Sequence, residues 1–261
     1  DKFLHFNHFF WAINNIGDNG NGTSNMFSPD GTVKTAELIS MNTGYTGFNS
    51  TSAYLNVPGG IVNMNLSSRD YRSYISNIVG WLNQNVEELY GEPANFMILL
   101  GDYYPEDNRR NQLLQAILGV DCYYRPSANS TPRVPPAEPP AEGTAARKVW
   151  DYILGDKGPF GTVNPGNISI LTGSDIYIGA LNSNMPSTMV PLLLHPTGSA
   201  EIAIDPEHRL LFIGNVEDFG TENNRNVGTE VTEDERRFMK NIIAFVINAA
   251  QYGEYFLSEF K

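Results

Sequence analysis

Short apolar runs alternate with longer amphipathic stretches along most of the chain, which is the pattern of strands and helices in an α/β protein. The run "NFMILLG" (95–101) contains no charge and has the length of a strand buried on both faces. A helical pattern at 108–119 and a second predicted strand, "VDCYYR" (120–125), follow it. This β-loop-α-β unit is the strongest indication of an α/β fold, and a further strand is predicted at 59–67.

Three other segments show clear periodicity. At 67–91 apolar residues recur at helical spacing, which predicts a helix. The segment 189–215 has three apolar runs joined by the turns "HPTG" and "DPEH", so it predicts an antiparallel meander. A long amphipathic helix is predicted at 232–260, and it begins with the capping-box pair Thr232 and Glu235.

A proline-rich segment at 126–145 has few large apolar residues, so it predicts an extended surface insertion rather than part of the sheet. The β/α pattern resumes directly after it, with a helix at 145–155 and strands at 167–173 and 175–181. The whole chain, 1–261, is therefore predicted to be one α/β domain. Its sheet is predicted to be doubly wound and mostly parallel, with a late antiparallel meander.

Composition disfavours several classes of partner. The formal net charge is −12, from 29 acidic residues against 17 Lys and Arg, which argues against nucleic acid and anionic membrane surfaces. No apolar run reaches the roughly 18 residues of a membrane span. The single cysteine excludes an internal disulfide and cysteine-based metal clusters. The Asn-, Ser-, Thr- and Tyr-rich composition resembles that of secreted bacterial proteins, so an extracytoplasmic location is expected.

The sequence carries no recognisable cofactor or metal motif. Phosphate-binding glycine loops, dinucleotide fingerprints and the Gly-x-Ser-x-Gly hydrolase elbow are all missing from it. His5 and His8 would lie on opposite faces of a strand. His195 and His208 fall in the two turns of the meander, where His208 is expected to be solvated. No cofactor, no metal ligand and no catalytic residue is therefore assigned.

Polar and acidic loops that follow predicted strands form the candidate ligand-binding site. In an open α/β sheet ligands bind outside the carboxyl ends of the strands, so loops at one edge would converge. Carboxylates and tyrosines there could hydrogen-bond and stack on sugar rings, bind a divalent cation, or act as acid and base on a glycoside. The candidate residues are Asp102, Tyr103, Tyr104, Glu106, Ser174, Asp175, Glu217 and Asp218.

The first of these loops also has a purely structural interpretation. Pro105 suits a first helical turn, and Glu106 with Asp107 would complement the positive end of the helix that follows. The acids of the last loop likewise suit a solvated segment. Asp102 precedes the capping residues and is explained least by capping, so it is the first candidate for mutation.

The stretch "AEIAIDPEHRLLFIGNVEDFGT" followed by "EDERRFMKNIIAFVINA" combines a late meander, a strand ending in a small loop, and a C-terminal helix. Within 95–250 this layout resembles class I glutamine amidotransferase-like domains, including trehalose-utilisation-like secreted bacterial proteins. The resemblance implies a flavodoxin-like, doubly wound sheet. It does not extend to catalysis, because Cys122 lies in a predicted strand as a small core residue rather than in a tight elbow. The "HPTG" at His195 has Thr197 where the family has Glu, and is interpreted as a hairpin turn.

These observations lead to three hypotheses. The first is a non-catalytic, extracytoplasmic ligand-binding domain whose ligand is a glycan or another secreted or surface component. The second is a glycan-directed hydrolase that uses Asp102 with Glu217 or Asp218, which requires these carboxyl groups to lie within about 5–10 Å of each other. The third is a structural or interaction module of a cell-surface assembly, suggested by the proline-rich insertion. The sequence does not predict an oligomeric state.

Overall fold

A computed structural model defines the fold. It describes residues 59, 61–65, 79–80, 82–100, 109–124, 133–168, 180–181, 184–214 and 232–261. The strands are β1 (Ile61–Asn65), β2 (Asn85–Val86), β3 (Glu92–Pro93), β4 (Phe96–Leu100), β5 (Tyr123–Tyr124), β6 (Ala180–Leu181), β7 (Val190–Leu194), β8 (Ala200–Asp205) and β9 (Leu210–Ile213). The α-helices are α1 (Arg109–Leu118), α2 (Ala145–Ile153), α3 (Glu233–Tyr252) and α4 (Glu254–Leu257), with 3-10 turns at Glu87–Leu89, Pro165–Asn167 and Ser258–Phe260.

Seven of the described strands form one sheet in the order β1-β4-β9-β8-β6-β5, with β7 paired to β8 beside that path. Strands β1, β4 and β9 are parallel, and their ends are aligned: Asn65 lies opposite Leu100, and Leu100 lies opposite Ile213. The pairings of β8 with β9, β7 and β6, and of β6 with β5, are antiparallel. The carboxyl ends of the three parallel strands thus share one end of the sheet, which we call the carboxyl edge.

The predicted α/β class and the late meander are confirmed, but the described part of the sheet is mixed rather than mostly parallel. The predicted segment 189–215 forms β7, β8 and β9, joined by two tight turns. Tight turns connect neighbouring strands in opposite directions, so the meander makes this half of the sheet antiparallel. Strand β9 is the position at which parallel pairing changes to antiparallel pairing.

The two faces of β4 pack against different helices. Phe96 and Ile98 join a core cluster with α2 and α3, whereas Met97 and Leu99 join a cluster with α1. All four side chains are fully buried. The run contains no charged residue because a strand covered on both faces has no solvent side. None of the described helices combines the length and apolar content needed to cross a membrane.

Helix α3 begins at the predicted capping box and ends at a glycine. The Thr232 side chain accepts a hydrogen bond from the Glu235 N–H at 3.1 Å, and the Glu235 carboxylate accepts one from the Thr232 N–H at 2.8 Å. The helix ends at Tyr252 and does not continue through the rest of the predicted segment. Gly253 has φ +54°, and a Cβ there would lie 3.1 Å from the Leu89 Cδ1, so the position favours glycine.

The helix predicted at 67–91 stops early. Its last described helical residue is Leu82, after which the chain forms a hairpin of β2 and β3 around a 3-10 turn. The Arg209 Nη2 donates a hydrogen bond to the Leu82 carbonyl at 3.0 Å, which satisfies an acceptor that the helix end leaves open. The hairpin then reverses at Tyr90 and Gly91, both of which have positive φ.

Part of the proline-rich segment pairs with the sheet. Val134 and Leu194 exchange two backbone hydrogen bonds, of 2.8 and 3.3 Å, at the end of β7. The neighbouring Arg133 is fully buried, whereas residues 141–144 are exposed. Arg133 and Val134 therefore differ from the predicted surface insertion, because one is buried and the other pairs with the sheet. Residues 141–144 are exposed, as expected for such an insertion, and α2 begins directly after them.

Candidate functional site

All eight candidate residues from the sequence lie outside the described residues, so the structure neither brings them together nor separates them. They are Asp102, Tyr103, Tyr104, Glu106, Ser174, Asp175, Glu217 and Asp218. Two of their three segments follow described strands directly, because β4 ends at Leu100 and β9 ends at Ile213. These two ends are paired with each other, so the chain leaves both strands at the carboxyl edge.

A buried polar cluster lies at the same edge. Strand β8 runs antiparallel to β9 and begins where β9 ends, and the Gly214 N–H donates a hydrogen bond to the Glu201 carbonyl. The β7–β8 turn, which starts at His195, is therefore also at the carboxyl edge. Arg133 reaches this place beside the end of β7. We call Arg133, His195 and Glu201 the edge cluster, and all three are buried.

Arg133 and Glu201 form an ion pair without solvent contact. The Arg133 Nε lies 3.0 Å from the Glu201 Oε2, and both side chains are 0% exposed. Burial of charge is tolerated only with a counter-charge and hydrogen bonds, so each residue depends on the other. No described residue accepts a hydrogen bond from the Arg133 Nη1 or Nη2. The terminal nitrogens of this guanidinium can therefore donate to a further acceptor.

The "HPTG" turn is confirmed, and it holds the His195 ring inside the protein. The Gly198 N–H donates to the His195 carbonyl at 2.8 Å, and Gly198 has φ +86°. The Thr197 N–H donates to the His195 Nδ1 at 3.2 Å, which assigns the proton of the neutral ring to Nε2. Burial, and then the charge of Arg133, lower the pKa of His195, which favours the neutral ring. No described residue accepts from its buried Nε2.

The opposite end of the sheet carries a second polar group, in the β8–β9 turn. The buried Asp205 carboxylate accepts hydrogen bonds from the Thr188 hydroxyl at 2.8 Å and from the His208 N–H at 3.0 Å. The His208 Nδ1 lies 2.8 Å from the Asp205 Oδ2. The expectation of a solvated His208 is met only in part, because the side chain is 30% exposed but its Nδ1 is held against a carboxylate. The Asp205 hydrogen bond is the main cause that raises the pKa of His208.

We expect His208 to stabilise the protein in mild acid more than at high pH. Its folded pKa is raised above 6.5, so the folded protein keeps a proton that the unfolded chain releases. This stabilisation is fully present below about pH 6.5 and is lost as the pH rises through the raised pKa. The loss of unfolding free energy caused by His208→Ala, measured by urea denaturation, should therefore be larger near pH 5.5 than near pH 9.

His195→Asn is the control, because its effect on stability should depend on pH in the opposite direction. The pKa of His195 is lowered in the fold, so its contribution to stability is lost as the pH falls below about 6.5. Asparagine keeps an oxygen that can accept from the Thr197 N–H, so the turn is preserved. A His208→Ala effect that is constant with pH, or that follows the His195→Asn trend, would contradict the assignment of the raised pKa.

Three tyrosines are exposed where the β2–β3 hairpin meets the end of α3. The exposed fractions are 100% for Tyr90, 45% for Tyr252 and 86% for Tyr255. Tyr90 has φ +58°, a left-handed conformation that costs a non-glycine residue about 1–2 kcal/mol. Its fully exposed side chain buries no surface that would offset this cost. We call these three residues the tyrosine face.

Cys122 lies in the core, as predicted. It is fully buried among the apolar residues that α1 packs against the sheet. Burial raises the pKa of the Cys122 thiol to about 11, so the thiolate needed for nucleophilic attack is not populated at neutral pH.

Arg133 and Glu201 are the functional candidates that sequence reasoning missed. A signal existed for Glu201, which stands alone between apolar residues in a run that forms a buried strand. A carboxylate at such a position requires a cationic partner. None of the protein-family models matches this chain. No match was found among curated proteins either, so its function has to be inferred from the chemistry of its sites.

Proposed function

We propose that this chain is a non-catalytic, extracytoplasmic ligand-binding domain whose ligand, a glycan or another secreted component, binds at the carboxyl edge. The observation that carries the proposal is the edge cluster. The Arg133 Nη1 and Nη2 and the His195 Nε2–H are buried donors that have no acceptor among the described residues. Buried donors of this kind require an acceptor, and ligand hydroxyl, carbonyl or carboxylate oxygens would supply it.

The position of the cluster supports the same proposal. Ligands of open α/β sheets bind outside the carboxyl ends of the parallel strands. The edge cluster lies at that end, and the segments that carry Asp102 and Glu217 leave β4 and β9 there. In the proposed site, the acids and tyrosines of these segments contribute acceptors and stacking surfaces around the donors of the edge cluster.

The proposal includes a doubly wound, flavodoxin-like topology of the glutamine amidotransferase-like kind. It is supported by three features: the parallel strands β1, β4 and β9, the helices on both faces of the sheet, and the meander that precedes the C-terminal helix. A role without thiol chemistry is supported by the core position of Cys122 and its pKa of about 11.

Isothermal titration calorimetry against neutral and acidic oligosaccharides, after screening on a glycan array, tests the proposal. His195→Asn removes the Nε2 donor and keeps the turn, so it should weaken binding about threefold to tenfold, the value of one hydrogen bond. Arg133→Lys replaces the planar fork by a single ammonium and should weaken binding further. Arg147→Lys, on a partly exposed arginine paired with Asp151, is the matched control and should bind as wild type does.

The outcomes separate the three hypotheses. If the wild type binds none of the oligosaccharides, glycan binding is overturned. A protein partner that co-purifies with the chain would then favour the interaction module. Cleavage of a bound oligosaccharide, detected by chromatography, would favour the hydrolase. If His195→Asn and Arg133→Lys are both folded by circular dichroism and bind as the wild type does, the ligand does not bind at the edge cluster.

A further inference from the structure

The tyrosine face is formed by two parts of the chain that pack against each other. A Cβ on Gly253 would lie 3.1 Å from the Leu89 Cδ1 and 3.2 Å from the Pro93 carbonyl oxygen, so the hairpin rests on the junction of α3 and α4. Tyr90 follows Leu89, and the other two tyrosines flank the glycine in sequence. The three tyrosines are therefore within one or two positions in sequence of one contact between the hairpin and the helix end.

Exposure on this scale is unusual for aromatic side chains. Tyrosine generally buries its ring and keeps only the hydroxyl in water. Among the described residues, the exposed large hydrophobic side chains are these three tyrosines and Val134, so three of the four adjoin this contact in sequence. Clustered exposed rings mark a surface that contacts a partner.

The backbone of Tyr90 points to the same conclusion. Its φ of +58° is one that glycine adopts without strain, and the next residue, Gly91, has a similar φ of +77°. The ring of Tyr90 touches no core and is 100% exposed, so the fold gains nothing from an aromatic residue here. Strain that folding does not require is typical of positions that serve binding.

The charges around the rings select the class of ligand. Glu87, Glu88 and Glu92 are exposed on the same hairpin. Glu254, which precedes Tyr255 on α4, is neutralised by Lys261, whose Nζ lies 2.6 Å from its Oε1. Carboxylates accept hydrogen bonds from sugar hydroxyls, whereas they repel uronic acids, phosphates and sulfates. An acidic aromatic surface on a chain of net charge −12 therefore disfavours anionic polymers.

We propose that the tyrosine face is a second binding surface, for a neutral glycan chain. Its sugar rings lie against the tyrosine rings, and its hydroxyls donate to the exposed glutamates of the hairpin. This inference rests on the proposed function for the choice of a glycan as ligand, but it places that glycan on a surface distinct from the edge cluster.

Tyr90→Gly tests the inference by two readouts that move in opposite directions. The midpoint of urea unfolding should rise, because glycine relieves the positive φ. Affinity for neutral hexasaccharides of glucose, xylose and mannose, measured by calorimetry, should fall about tenfold. Tyr90→Phe retains the ring and should retain most of the affinity. Tyr255→Ala should also weaken binding, with little change in stability because its side chain is 86% exposed.

Failure of this inference is distinguishable from failure of the proposed function. If neutral hexasaccharides bind and only His195→Asn weakens them, ligand binding at the carboxyl edge stands and the tyrosine face is not a glycan site. If the tyrosine variants change binding of oligolysine but not of the hexasaccharides, the surface recognises a basic protein segment and the inference is overturned. If the wild type binds none of the glycans, the proposed function and this inference both fall.

Discussion

Glu201→Met is expected to lower the free energy of unfolding by about 3–5 kcal/mol. The substitution keeps the volume of the side chain but removes the carboxylate that pairs with Arg133, whose guanidinium is 0% exposed. A buried cation without a partner keeps its desolvation cost and loses its Coulombic compensation. Urea denaturation at neutral pH measures the change, with the slope of the transition as a check on two-state behaviour.

The double variant Arg133→Met/Glu201→Met separates the cost of an orphaned charge from the value of the ion pair. It should recover most of the stability that Glu201→Met loses, because two apolar side chains replace both charges. Asp151→Met is the control, since it breaks the pair with Arg147, in which both side chains are partly exposed. The control should lose no more than about 1 kcal/mol. A Glu201→Met loss as small as that of the control would contradict the buried pair.

Asn241→Leu is expected to have an effect of similar size, about 3–5 kcal/mol, for a different reason. The Asn241 Nδ2 donates to the carbonyls of Ile153 at 2.9 Å and Gly161 at 3.2 Å, and its Oδ1 accepts from the Phe160 N–H at 3.1 Å. The side chain is fully buried. Leucine would leave the buried Ile153 carbonyl and the partly buried Phe160 N–H and Gly161 carbonyl without these hydrogen bonds. A buried group left unsatisfied costs about 1–3 kcal/mol, and the apolar leucine side chain would also lie against these polar groups.

Asn248→Leu is the matched control for this prediction, because it lies two turns further along the same helix. Its side chain makes one hydrogen bond, from Nδ2 to the Tyr152 hydroxyl at 2.8 Å, and is half-buried. The expected loss is about 1 kcal/mol. Thermal and urea unfolding of the two variants should therefore differ clearly. Equal losses would show that Asn241 does not hold the segment after α2 to helix α3.

Patterns that depend on neighbouring residues predicted the structure well. The uncharged run of β4 is buried on both faces, and the Thr232–Glu235 pair caps α3 through its own side chains. The two turn sequences of the meander fix its antiparallel connections locally. In each case the physical cause lies within a few residues, so a single sequence contains all of it.

Features that depend on distant residues could not be predicted in this way. Helical periodicity continues past Leu82, but the carbonyl of that residue accepts a hydrogen bond from Arg209, which lies 127 positions later in the sequence. Arg133 stands in a proline-rich stretch with no acid beside it, and its partner Glu201 lies 68 positions away. Arg133 alone suggests a solvated charge, and Glu201 alone suggests a buried carboxylate whose partner its neighbours in sequence do not identify. Only the sheet brings the two together, and only their joint burial reveals the edge cluster.

The mixed pairing of the sheet has a consequence for the order in which the protein folds. The contacts among β7, β8 and β9 span two tight turns, so closing them costs little chain entropy. The parallel pairing of Met97 with Leu210 instead closes a loop that contains α1 and α2. The meander is therefore expected to form first and to serve as the template on which β4, and then β1, assemble. Until they dock, β9 presents an unpaired strand edge, and this interval is when the chain is most exposed to misassembly with other copies.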